Sequence, residues 1–300
     1  MKIPKPLQAD LALLVVTLIW GSTFTIVKKC LAQVSPILLI ALRFWVAAAV
    51  IVVFMPGAVR DISLQTLRRG LLLSIVLVGG FIFQTVGLRG TTPSRSAFIT
   101  SLAVVLVPVL GFFIFHHRPK LQTLAGVALA IIGIGFLTLT AVELRFRFGD
   151  ALTLLCAVVF ALHMLLLGRY LPTSDYRQLI ILQMAGGALI CTAVLPMLET
   201  PFLVWDVTFT FYLFIIGVLA TGFAYYSQTR AQQYTTPNRT ALIFSLEPFF
   251  AALFAYLLLG QTMTPKEWLG GGLVMAGIIT AEFGRTGKEI PLPFPEQSPQ

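Results

Sequence analysis

The stretch TTPSRSAFITSL (Thr91–Leu102) returns 144 residues later as TTPNRTALIFSL (Thr235–Leu246), with eight of the twelve positions identical. Shared membrane composition does not produce identity of that kind, so the pair reads as an internal repeat. Working outward at the same offset, Gln84 meets Gln228, Gly126 meets Gly270 and Gly133 meets Gly277. Near the start of each half the offset is 140: Asp10 meets Asp150, Leu14 meets Leu154, Lys29 meets Arg169 and Pro56 meets Pro196. A four-residue difference in one loop of each half reconciles the two offsets.

The 300 residues are 57% apolar and only 11% charged, with a mean hydropathy of +0.90. Soluble domains carry about 25% charged residues, so most of this surface must face lipid. Ten apolar segments of spanning length are expected, at about 9–28, 36–55, 70–88, 95–115, 121–140, 150–168, 177–197, 208–229, 239–259 and 266–284. The N-terminal run after Met1, Lys2 and Lys5 imitates a signal peptide, but it is long enough to span and reads as the first helix. The expected fold is therefore all-α: a polytopic membrane protein of ten transmembrane helices in two inverted five-helix repeats. The repeats cover about 9–140 and about 150–284, and together they form a single transport domain over 1–284. An odd number of crossings per half makes the halves face opposite ways across the bilayer. The tail 285–300, with Pro291, Pro293, Pro295 and Pro299, is expected to be disordered.

The formal charge of +9 lies in short loops rather than along a basic stripe, which excludes nucleic acid as a partner. With the N-terminus inside, inner segments hold thirteen Lys and Arg and outer segments seven, which places both termini in the cytoplasm. Cys30, Cys156 and Cys191 fit no zinc or disulfide spacing and read as structural bystanders. The adjacent His116 and His117 point to different helix faces with no third ligand in view, so neither metal nor cofactor is expected. The chain has no phosphate-binding loop, Ser–His pair, paired aspartates or His-rich set, which argues against an enzyme and against ATP as the power source. A passive channel remains a separate class, distinguished from a carrier by counterflow.

Several segments resemble the ten-helix EamA-type members of the drug/metabolite transporter superfamily. They are LIWGSTF (Leu18–Phe24), LRFWVAA (Leu42–Ala48), the TTPSR and TTPNR pair, SLEPFFAALFAYLLLGQ (Ser245–Gln261) and the GGGLVMAGII run of the last helix. The resemblance covers about residues 9–284. It implies inverted repeats around a central cavity, and export of small metabolites or drugs across a bacterial inner membrane. Where family members often carry Gly-Glu at the ends of the fourth and ninth helices, this chain has His117 and Gln261.

Ionisable and polar side chains inside spans are costly and mark candidate sites. Glu247 lies well inside the ninth span and is followed by Pro248, which is expected to free nearby carbonyls. It reads either as a carboxylate responsive to protons or cations, or as one half of a structural ion pair. Arg43 is expected to pair with Glu247, to bind an anionic substrate group, or to snorkel to the interface. Its repeat counterpart is Gln183. Trp20 sits at mid-span beside the small notch Gly21, Ser22 and Thr23, which reads as close helix packing or as a cavity wall. Gln84 and Gln228 share one repeat position and are candidates to hydrogen-bond a substrate from opposite sides, with Tyr225 and Tyr226 nearby. His163 is a further candidate on the pathway, or a satisfied packing residue. Arg95 and Arg239 open the fourth and ninth spans as gate or interface anchors, with their guanidinium groups expected at the headgroups. The expected partners are a small-molecule solute, the lipid bilayer and protons as coupling ion.

Overall fold

The computed structural model describes residues 4–115, 121–138, 147–231, 234 and 243–283, and among these every regular element is helical. Residues 235–242, which hold Arg239 and most of the second motif copy, lie outside the described residues, as do His116, His117 and the tail. The helices are α1 (Lys5–Cys30), α2 (Pro36–Phe54), α3 (Leu64–Arg89), α4 (Pro93–Thr100), α5 (Leu102–Phe115) and α6 (Leu121–Thr138). They continue with α7 (Phe148–Tyr170), α8 (Tyr176–Leu198) and α9 (Val207–Phe214), then a π-helical stretch (Ile215–Phe223) leading into α10 (Ala224–Ala231), and finally α11 (Glu247–Leu259) and α12 (Pro265–Phe283).

Among the described residues seven helical runs are long and apolar enough to cross a membrane, and the shorter apolar stretches Leu124–Phe136 and Glu247–Leu259 add to them. Val53, Phe54, Ile75, Ile131, Leu189 and Leu257 stand exposed on their outer surfaces. A water-soluble chain cannot sustain so much open apolar surface, whereas a bilayer favours it. The chain is an integral, polytopic membrane protein.

Three sequence expectations change. The fourth and ninth spans are not continuous helices: α4 stops at Thr100 and α5 starts at Leu102, while a turn at Ser245 and Leu246 precedes α11. Ser101 and Ser245 are 144 apart, so the opening motif carries the same break in both copies. In the first copy Ser101 Oγ donates to Phe98 O at 2.7 Å, a local bond that competes with the helical ladder. Pro248 frees no interior carbonyl, because it lies in the first turn of α11, where an N–H has no helical partner to lose. The eighth span is helical throughout but widens into a π stretch that contains Gly217 and Gly222.

α6 and α12 pack backbone to backbone. A Cβ on Gly133 would meet Val274 N at 2.6 Å and Gly270 O at 2.7 Å; one on Gly277 would meet Gly126 O at 2.5 Å and Ala130 N at 2.7 Å. Each contact maps onto the other by the 144-residue offset.

Polar contacts divide the molecule's two ends. At one end Lys28 Nζ donates to the carbonyls of Leu88 (2.6 Å), Arg89 (3.1 Å) and Thr91 (2.9 Å) at the C-terminus of α3, where helix carbonyls attract a cation. At the same end Thr91 Oγ1 bonds the Asp150 carboxylate, and Ser35 N donates to Phe202 O at 3.1 Å. At the opposite end Arg69 Nη1 reaches Thr173 O (3.0 Å) and Ser174 Oγ (2.9 Å), and Gln178 Nε2 donates to Arg60 O at 2.9 Å.

Candidate substrate pathway

At the centre of the bundle the aromatic ring of Tyr225 meets three neighbours from different helices. Its centroid lies 5.5 Å from Trp20 on α1, 6.3 Å from Phe81 on α3 and 6.5 Å from His163 on α7. Trp20 also packs on Phe244 at 5.2 Å, and Phe81 on Phe44 and Phe160 at 5.3 and 5.6 Å. Such tilted and edge-on pairs suit aromatic quadrupoles and give a rigid apolar wall.

The π stretch fixes two of the candidate residues. Its wider turn offers groups that an α-helix would hold internally. Trp20 Nε1 donates to Ala220 O at 2.9 Å. Thr221 Oγ1 donates to Ile216 O at 2.6 Å and accepts from Arg43 Nε at 2.9 Å. Gly217 admits this packing, since a Cβ there would lie 2.7 Å from the Val46 side chain on α2.

Arg43 is 4% exposed, so it does not snorkel. Nor does it pair with Glu247: among the described residues the ion pairs are Arg95–Glu267 and Arg177–Asp175. Its guanidinium lies 4.3 Å from the Phe81 ring centroid. The inward hydrogen bond and the aromatic face hold it where the interface is out of reach. With Thr23, Phe24, Val27, Gln84, Thr85 and Leu88 it lines a narrow cleft with room for about one water beneath the Lys28 clasp.

The notch beside Trp20 divides between its two readings. Gly21 is a packing residue, because a Cβ would fall 2.5 Å from Phe250 Cβ and 3.0 Å from Glu247 O. Ser22 and Thr23 bond the carbonyls of Ile19 (2.7 Å) and Trp20 (2.6 Å), and Thr23 also faces the cleft. Glu247, on the far side of that contact, opens α11 at the positive end of its dipole. Among the described residues no side chain hydrogen-bonds its carboxylate, while Tyr225 lies within electrostatic range of both Glu247 and Arg43.

His163 is buried and bonded: Gln183 Nε2 donates to Leu179 O at 3.0 Å, so Gln183 Oε1 accepts from His163 Nε2 at 2.6 Å. Gln228 is 5% exposed, and among the described residues no hydrogen bond joins it to Gln84. Tyr226 packs against the same core, and its hydroxyl accepts from Arg230 Nη1 at 2.6 Å. Arg95 does not reach the headgroups. It is 6% exposed, and its Nε donates to Glu267 Oε1 at 2.9 Å, since α4 is packed inside the bundle rather than at its rim. Glu267 also accepts from Thr264 N at 2.8 Å, completing a capping box at the start of α12.

Sequence reasoning missed Thr221, Phe81, Lys28 and Glu267. Glu267 had a readable signal in its Thr-x-x-Glu spacing, and the π stretch had one in its paired glycines. The clasp of Lys28 had none, because its partners are backbone carbonyls 60 to 63 residues away.

A polytopic helical bundle with a polar cleft beside a buried aromatic wall belongs to the class of membrane transport proteins. The EamA-like transporter family matches the chain twice, over residues 7–139 and 147–282, and the chain belongs to that family. An uncharacterized transporter of Archaeoglobus fulgidus is 33% identical over 92% of this chain and 86% of its own length. A probable amino-acid metabolite efflux pump of Salmonella typhimurium is 29% identical over 91% of this chain and 94% of its own. Among solved structures, one chain shares the fold with a TM-score of 0.68 at 18% identity, covering 91% of this chain and 96% of that one.

Proposed function

We propose that this chain is a secondary transporter that exports a small organic solute by alternating access, with ten helices arranged as two inverted five-helix repeats. The observation that carries the reading is Glu247: a carboxylate with no hydrogen-bond partner among the described residues, at a half-buried helix start, within electrostatic range of the Tyr225 hub. Intramembrane acids in transporters commonly serve as proton relays. The double family match and the offset-related contacts of α6 and α12 support the two-repeat plan. The names of the Salmonella and Escherichia coli relatives, probable amino-acid metabolite efflux pumps, favour an amino-acid-like metabolite and export. Both termini face the cytoplasm of a bacterial inner membrane.

In this scheme Trp20, Ser22, Thr23, Gln84, His163, Tyr225, Tyr226 and Gln228 line the route, and Arg43 and Glu247 supply charge. Arg95 and Arg239 serve as gates at opposite faces. Protons move inward as solute moves outward. Glu247→Gln, which cannot release a proton, is therefore expected to abolish solute accumulation driven by a pH gradient in proteoliposomes while retaining solute counterflow. Unchanged gradient-driven flux in the variant rules out Glu247 as the coupling group. Absence of counterflow in the wild type, with flux only down the gradient, replaces the carrier by a channel.

A further inference from the structure

We infer that the cleft at Arg43 is a carboxylate subsite, so that the transported solute carries an anionic group; this rests on the exporter reading above. Arg43 is a buried cation that touches a hydroxyl and an aromatic ring, with no carboxylate at ion-pair distance among the described residues. Among the described residues the ionisable side chains in its electrostatic range are Tyr225, Cys30 and Cys191, none of them an acid of carboxylate strength. A buried charge of this kind needs an opposite charge to offset its desolvation, and a planar guanidinium matches a carboxylate.

The cleft supplies what such a ligand requires. Thr23, Gln84 and Thr85 bring hydroxyl and amide groups to the same space as Arg43, and Phe24, Val27 and Leu88 form dry walls. As it stands the cleft holds about one water, so it receives a carboxylate headgroup, and no whole solute, only as its lining helices part in the transport cycle. The remainder of the solute then meets the aromatic wall, which begins at Phe81 beneath the guanidinium and continues to Tyr225 and Trp20.

Repeat symmetry shows that the cation is not a requirement of the scaffold. At an offset of 140, Thr23 and Arg43 correspond to His163 and Gln183; at 144, Gln84 corresponds to Gln228. In the second half the polar pair is spent internally, His163 on Gln183, and no cation stands there. One half presents an unpaired charge to a cleft and the other closes on itself. Anion recognition is thus confined to the Arg43 side.

The test compares metabolites released by cells expressing the wild type, Arg43→Gln, Arg43→Lys or Gln84→Glu, each checked for amount and monodispersity in detergent. Wild-type cells are expected to release one or more solutes bearing a free carboxylate. Arg43→Gln is expected to lower that release at least tenfold, with Arg43→Lys between the two. Gln84→Glu places an acid beside Arg43 and is expected to block release while the protein remains folded. Release of a solute without an anionic group, or release undiminished in Arg43→Gln or Gln84→Glu, overturns the carboxylate subsite and leaves the exporter reading intact. No release by the wild type above cells lacking it overturns the exporter reading, and the subsite with it.

Discussion

Gly133→Val is expected to lower the thermal unfolding midpoint of the purified protein sharply, and Gly277→Val to do the same. At Gly133 an added Cβ lies 2.6 Å from one backbone nitrogen and 2.7 Å from a backbone carbonyl oxygen of α12; at Gly277 the figures against α6 are 2.7 Å and 2.5 Å. Backbone atoms cannot swing aside as a side-chain tip can, so the two helices must separate along their length. In a bilayer no hydrophobic drive between helices offsets that separation, because lipid is as apolar as the buried face. Overpacking costs about 1–3 kcal/mol per site, and backbone contact puts these two at about 3 kcal/mol each. Gly272 provides the control on the same helix: a Cβ there meets nothing within 4 Å, so Gly272→Val is expected to leave the midpoint unchanged. Equal midpoints for all three variants would show that α6 and α12 do not meet as described.

The second large effect is expected at Glu267. Its carboxylate is the ion-pair partner of Arg95, whose side chain is 8% exposed. Glu267→Ala strands that cation in the bundle, and breaking a buried pair from one side costs about 3–5 kcal/mol. Part of the loss comes from the capping box with Thr264, about 1 kcal/mol. Arg95→Met combined with Glu267→Met removes both charges, and it is expected to recover most of the stability that the single change loses. Double-mutant unfolding measurements check this; simple addition of the two single losses would mean that the pair is not coupled. In the proposed transport cycle the same pair bars the Lys28 end. Glu267→Gln should then raise labelling of a Thr23→Cys thiol by a membrane-impermeant maleimide applied at that face, in a background lacking the buried Cys30, Cys156 and Cys191.

The chemistry was less legible than the frame. Arg43 and Glu247 were found as costly intramembrane charges, and the structure keeps them unpaired with each other rather than joined. The gathering of Lys and Arg at helix ends predicts Arg95 at the headgroups, yet its helix is packed inside the bundle, where Glu267 compensates it. Trp20 read equally well as packing or cavity wall. Its actual partners, Ala220 O and the rings of Tyr225 and Phe244, lie 200 or more residues on, beyond any local pattern.

By itself the sequence determined that this is a helical membrane protein with two related halves. Hydropathy and loop charge act locally, through the cost of taking each residue out of water, and a repeated motif is visible without coordinates. Tertiary structure alone decided where the helices break and which polar groups meet. The serine turns at Ser101 and Ser245, the π stretch that holds Trp20 and Arg43, and the cleft beneath Lys28 all arise where separate segments compete for the same backbone groups. Such competition depends on distances between helices, and only packing sets those.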